Sequence, residues 1–339
     1  MPSGAFNALT DVPGVRVGHV TLVRGGPDDP PVLRTGVTAI LPHSGNLFRE
    51  KVEAAVHVIN GFGKSVGLPQ IVELGTVESP ILLTGTLNVW RAADALVDVL
   101  AEQNPGVYSF NPVVCECNDS FLSDELSRPV GREHVAQAVR EARSGPVAEG
   151  CVGAGTGMSG FGFKAGIGAA SRRLPEGVGA FTLGVLVLTN TGGAGELRID
   201  GIPVGQELIA ATAGREKDTG HGSIIIVVAT DAPLSSRQLR RVARRAAFGL
   251  ARTGAVAAHC SGDFVVAFST TTRNTNAVQE RIAEERLTAF FTATIEATEE
   301  AIIRSILKAE TTGGRDGHVR EAIPVEEVAR IVRRYTEMR

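Results

Sequence analysis

Seven of the sixteen residues from Gly153 to Gly168 are glycine. No helix interior tolerates that density, because each glycine costs about 1 kcal/mol there relative to alanine. The stretch must therefore be a turn-and-strand segment whose path is set by close backbone contacts. The same bias runs through the whole chain. Forty glycines in 339 residues, with only 5% aromatics, indicate a core of Ala, Val, Ile and Leu. At 43% hydrophobic and 21% charged residues the chain buries a large core and is not disordered. These features favour a layered α/β enzyme. No composition shift marks a linker, so residues 1–339 read as a single domain.

Periodicity gives the order of elements. Residues 1–87 are β-rich, with alternation over Gly14–Val20 and an apolar segment at Val37–Leu41. A helix follows from Asn88 to before Pro105, with Trp90, Ala93, Val97 and Leu100 as its stripe, and another is expected over Val130–Ala142. Phe181–Leu188, Ser223–Thr230 and Phe264–Phe268 read as strands. Ser235 and Gln238 form a capping box for a helix closed by Gly254. Leu239, Val242, Ala246 and Leu250 form its apolar face, while Arg237, Arg240, Arg241, Arg244 and Arg245 form a solvated one. Helical patterning then runs over Val278–Lys308, and a terminal helix starts near Pro324.

A net charge of −3 gives no electrostatic reason to bind nucleic acid. No apolar run approaches the ~18 residues of a membrane span, and residues 1–18 lack a secretory pattern. A soluble, cytoplasmic protein without a membrane partner is expected. The four cysteines, Cys115, Cys117, Cys151 and Cys260, are too scattered for a disulfide framework. A zinc site built on Cys115 and Cys117 with Cys151, Cys260 or His259 lacks the paired spacing such sites use. Neither metal nor organic cofactor is expected.

Gly155-x-Gly157-x-x-Gly160 matches a dinucleotide fingerprint, which would make the chain a nucleotide-binding module. That function requires a helix to open at this point, and Phe161–Gly168 is not one. Ser305-x-x-Lys308 has no companion motifs and reads as surface chemistry. The junction Gly222-Ser223 is different, because it puts a hydroxyl at the leading end of an apolar strand. By itself it is an ordinary turn or a site of self-cleavage. If the Ser223 hydroxyl attacks the Gly222 carbonyl, an N→O acyl shift and hydrolysis leave Ser223 as a new chain terminus. Its α-amine, with a pKa of ~7.7–8.0, can then act as general base for its own hydroxyl.

The chain resembles the self-processing N-terminal-nucleophile aminopeptidases that include the L-aminopeptidase/D-alanine-esterase/amidases and the β-peptidyl aminopeptidases. The likeness is carried by Thr10–His19, Leu74–Ile81, Gly153–Gly157, Leu197–Val204 and Gly222–Leu234. It implies cleavage into residues 1–222 and 223–339, an α-β-β-α sandwich of two packed sheets, and a homo-oligomer, commonly a tetramer. By resemblance, Ser223 is the nucleophile, Ser261 and Asp263 support its amine, and Asn190 donates to the oxyanion. Asp263 stands where the family carries the longer Glu. Glu116 pairs with the free amino terminus of a small peptide, amide or ester. Asn118 stands where some relatives have Tyr, and its amide can take the polar role. Transfer of the acyl group to an amine rather than to water, an acyltransferase activity, is the alternative within this class.

Overall fold

The alternating and helical patterns resolve into four layers. The computed structural model describes residues 1–26, 28–211, 222–273 and 281–338. In chain order the strands are β1 (Arg16–Gly26), β2 (Asp29–Leu41), β3 (Val52–Gly61), β4 (Thr76–Val77), β5 (Ile81–Gly85), β6 (Val113–Cys117), β7 (Ser159–Gly160), β8 (Phe163–Lys164), β9 (Ile167–Arg173), β10 (Thr182–Asn190), β11 (Ser223–Thr230), β12 (Gly262–Arg273), β13 (Thr312–Gly313) and β14 (Val319–Arg320). The helices are α1 (Leu68–Leu74), α2 (Val89–Gln103), α3 (Arg132–Arg140), α4 (Val204–Ala211), α5 (Ser236–Arg252), α6 (Leu287–Leu307) and α7 (Val325–Glu337).

One sheet has the order β1-β2-β5-β6 and the other β4-β3-β12-β11-β10-β9, with β7-β8 and β13-β14 as small hairpins. Side-chain alternation divides the core. In β11, Ile225 and Val227 join Leu186, Leu188, Val113, Cys115 and Ile81 between the two sheets. Ile224, Ile226 and Val228 face the other way, onto Val242, Ala246, Phe290 and Ala297 of α5 and α6. A strand covered on both faces has no polar side, which is why Ser223–Thr230 reads as a continuous apolar run. On the outside of the first sheet, Leu82 and Val114 pack against Leu96 of α2 and Val135 and Ala138 of α3. The α-β-β-α sandwich is the expected one.

Several elements differ in detail from their sequence reading. The buried stripe of α2 is Val89, Ala92, Ala95, Leu96, Val99 and Leu100, while Trp90 is half exposed. The stripe is thus rotated by about one residue from the expected one. Helix α6 begins at Leu287, after a short turn at Glu284–Arg286, and residues 278–280 lie outside the described ones. Ser305 is fully buried, its hydroxyl donating to the Ile302 carbonyl at 2.6 Å, so it is a packing residue and not surface chemistry. The arginine face of α5 is solvated as expected. Arg237 and Arg241 pair with Glu284, and the Arg245 guanidinium lies 3.9 Å from the Phe291 ring centroid.

Glycine sets the distance between layers where β9 meets α6. A Cβ on Gly168 would lie 1.9 Å from the Ala301 carbonyl oxygen and 2.8 Å from Ser305. Both neighbours belong to a packed helix that cannot retreat without opening the core. Gly168→Val should therefore destabilise the fold by about 3 kcal/mol, measured as a lowered urea midpoint at unchanged slope. An unchanged midpoint would contradict this packing.

Candidate active site

The site grows out of strand register. Ser223 opens β11 and lies opposite Asn190, the last residue of antiparallel β10. On its other side it pairs with Gly262, the first residue of parallel β12. Three strand ends thus meet at one end of the second sheet, in its interior. Ser223 shares the parity of Ile225 and Val227, so its side chain faces the first sheet, where the Cys117 thiol lies against it. Burial holds that thiol well above its ordinary pKa, so it forms a neutral wall. Ser223 is 6% exposed, and among the described residues its Oγ meets the neutral Cys117 thiol but no acid or base. It lines a cavity of about 410 Å³ together with Glu116, Asn118, Asn190 and Gly222.

Gly222 is required by proximity. A Cβ there would lie 2.5 Å from the Asn190 carbonyl oxygen and 2.7 Å from the Thr191 Cα. The preceding residues Asp218–His221 lie outside the described ones.

The hydroxyl of Ser261 donates to Asp263 Oδ1 at 2.6 Å, and both residues are fully buried. The aspartate closes this contact in spite of its missing methylene. Burial pushes the Asp263 carboxyl up to about 6, against the opposing hydrogen bonds from Ser261 and the Ile224 backbone. The turn carrying Ser261 is tied down by Asn60, at the end of β3. Its side-chain NH₂ donates to the carbonyls of Ala258, His259 and Ser261.

Asn190 is oriented by a single contact. Its Oδ1 accepts the Ser159 N–H at 2.9 Å. Since an N–H can only donate, the oxygen must face Ser159, and the NH₂ end is what Asn190 offers to the cavity it lines. That is the polarity an oxyanion requires.

Glu116, in β6, is 3% exposed. Its carboxylate accepts the Lys64 N–H at 2.9 Å and the Thr86 hydroxyl. Two fixed donors orient the carboxylate, and its place in the cavity wall suits a ligand ammonium. Asn118 is exposed and lines the same cavity, with its amide oxygen taken by the Ser120 N–H at 2.8 Å and hydroxyl at 2.5 Å. Ser223, Asn190, Gly222, Glu116 and Asn118 line one cavity, and Ser261 and Asp263 stand on either side of Gly262, the β12 residue paired with Ser223. Asn60, Thr86, Ser159 and Arg320 are additional and carry no local motif. They reach the site only through the fold.

The nucleotide reading fails here. Gly153–Gly157 is a tight 3₁₀ turn followed by strands, so no helix N-terminus faces outward. Its glycines serve packing, since a Cβ on Gly157 would lie 2.1 Å from the Arg34 carbonyl oxygen and one on Gly155 2.5 Å from that of Gly150. Fully buried Lys164 donates its Nζ to the Gly155 carbonyl at 3.1 Å. Among the described residues, no three His, Cys, Asp or Glu side chains gather into a metal-holding group. Cys115 is a buried thiol, pushed up to about 12.

A serine at the leading end of a central strand, beside an amide and a hydroxyl-carboxylate pair, is the arrangement expected of an N-terminal-nucleophile hydrolase, and comparisons with known proteins give the family. Residues 7–320 match Peptidase family S58. The chain is 40% identical to beta-peptidyl aminopeptidase BapA of Sphingosinicella microcystinivorans, over 99% of this chain and 90% of that one. Similar solved structures include the PH0078 protein of Pyrococcus horikoshii OT3, at 49% identity and TM-score 0.91, covering 98% of this chain and 96% of the other. Another is the L-aminopeptidase D-Ala-esterase/amidase of Ochrobactrum anthropi, a variant of the Ntn hydrolase fold, at 36% identity and TM-score 0.90, covering 99% and 96%. The chain belongs to peptidase family S58 and is an N-terminal-nucleophile aminopeptidase.

If Asn190 supplies an oxyanion donor, Asn190→Ala should lower kcat about 10²–10³-fold with little change in KM. Steady-state kinetics on an aminoacyl p-nitroanilide will check this. A change confined to KM would mean that Asn190 serves binding alone.

Proposed function

We propose that the chain cuts itself between Gly222 and Ser223, giving polypeptides of residues 1–222 and 223–339 that stay in one fold. The liberated Ser223 then releases small N-terminal residues from peptides, amides or esters. One observation carries this proposal above the others. A buried serine hydroxyl that meets a neutral thiol but no acid or base among the described residues sits at a strand end, opposite Asn190 on one side and Gly262, between Ser261 and Asp263, on the other.

In the proposed reaction the free α-amine of Ser223 takes the hydroxyl proton as Oγ attacks the substrate carbonyl. The Asn190 NH₂ donates to the oxyanion. The protonated amine passes its proton to the leaving amine, and an ester-linked acyl-Ser223 remains. Water enters by the same proton route and releases the acid. Asp263, through the Ser261 hydroxyl, stabilises the ammonium form of the amine. Glu116 pairs with the substrate's ammonium, which restricts attack to the first residue of a chain. Family resemblance supports a cytoplasmic, homo-oligomeric working form. No helix among the described residues is long and apolar enough to cross a membrane. Transfer to an amine competes with hydrolysis wherever water is excluded.

Intact mass spectrometry of the purified protein tests the cut. Two species, the smaller beginning at Ser223, are expected from the wild type and a single full-length species from Ser223→Ala. An uncut wild type that hydrolyses peptides would overturn the mechanism.

The pH profile tests the support of the amine. Asp263 ionises as pH rises through about 6, and the neighbouring ammonium of a cut chain shifts that step lower. Only the ionised carboxylate stabilises the protonated amine. The acid limb of kcat/KM, set first by protonation of the amine, should therefore steepen at or below about pH 6. Asp263→Asn should lose the steepening. The same limb in both proteins would remove Asp263 from the scheme.

A further inference from the structure

A second cavity, of about 610 Å³, opens in the helix layer that covers the first sheet and shares no lining residue with the catalytic one. Strand register builds it. Arg16 opens β1 and pairs with Leu41, the last residue of β2. Val17 and Ile40 lie between the two sheets, so by alternation Arg16 and Leu41 face the helices. Leu41, Leu47, Val99 of α2 and Val139 of α3 make an apolar wall. Two cations stand in it, Arg16 at the strand start and Arg140 at the last position of α3.

Among the described residues no carboxylate pairs with either guanidinium. The Nε of half-buried Arg16 is itself buried and has no acceptor among them. The one carboxylate in the cavity wall, Glu102, is taken by Arg132 of α3. A buried donor left without an acceptor is costly, and a ligand that supplies one removes that cost. The planar guanidinium fork matches a carboxylate, whereas a phosphate dianion would leave charged oxygens against the leucines and valines.

We propose that this cavity binds a small apolar monocarboxylate. The carboxylate sits on the Arg16 guanidinium, Arg140 adds a second positive charge, and the hydrocarbon part lies against Leu41, Leu47, Val99 and Val139. The volume falls within the range of small-molecule sites. The proposal does not depend on the aminopeptidase mechanism, since the two cavities are separate.

Equilibrium dialysis of the purified protein with labelled hexanoate tests it. Hexanamide is the uncharged isostere, and acetate is the same head without the tail. The wild type should bind one hexanoate per chain, about 10-fold or more tighter than hexanamide, as a charge-assisted contact implies. Acetate, which buries almost no apolar surface, should bind more weakly than hexanoate by a similar factor, about 10-fold or more. Arg16→Met should bring hexanoate down to the level of hexanamide, and Arg16→Lys should restore part of the difference. Val139→Glu, a change at the helix surface that puts a carboxylate into the wall, should abolish hexanoate binding without touching Arg16. Arg240→Met, on the solvated face of α5, should leave binding as in the wild type.

Equal affinity for hexanoate and hexanamide overturns the proposal. So does hexanoate binding that survives in both Arg16→Met and Val139→Glu, which would place the ligand elsewhere on the molecule.

Discussion

The register of β11 between β10 and β12 is the constraint on which the site depends. Pairing Ser223 with Asn190 on one side and Gly262 on the other sets three strand ends side by side at one end of the sheet. A slip of one residue would turn the Ser223 hydroxyl away from the first sheet and move every apolar residue of β11 to the wrong layer. Burial of Ile224 to Val228 on both faces therefore protects catalytic geometry and fold together. Each of these side chains contributes about 1.5–3 kcal/mol by burial, so the register is strongly specified.

Around that end the chain places polar groups whose burial has to be compensated locally. Glu116 has two donors and Asn190 is oriented by a backbone N–H. Asp263 has the Ser261 hydroxyl, yet burial still raises its pKa. Among the described residues no cation meets this carboxylate, and a new terminus at Ser223 would supply one. Cleavage would thereby complete the electrostatics as well as create the base.

Much of this was legible in the sequence because it is local. The strand at Ser223–Thr230 and the capping box at Ser235 depend on neighbours along the chain. Resemblance to a known family, more than any periodicity, pointed to Asn190, Glu116, Ser261 and Asp263. Asn60, Thr86, Ser159 and Arg320 were not legible, since each reaches the site across a long sequence separation and carries no motif of its own. The offset stripe of α2 has a similar origin. Trp90 is the largest apolar side chain on that helix, yet the sheet covers Ala92 and Ala95 and leaves it half exposed. Gly155 and Gly157 show how a pattern misleads, for their spacing answers to the Gly150 and Arg34 carbonyls and not to a phosphate.

Periodate oxidation tests most directly the claim that Ser223 works with its own amine. The reagent cleaves adjacent amine and hydroxyl groups, so at low excess it converts an N-terminal serine to an aldehyde and spares internal ones. Activity should fall in step with conversion at Ser223, followed by mass on the polypeptide of residues 223–339. Full activity after complete conversion, or the absence of any oxidisable Ser223 in the active enzyme, would contradict the account.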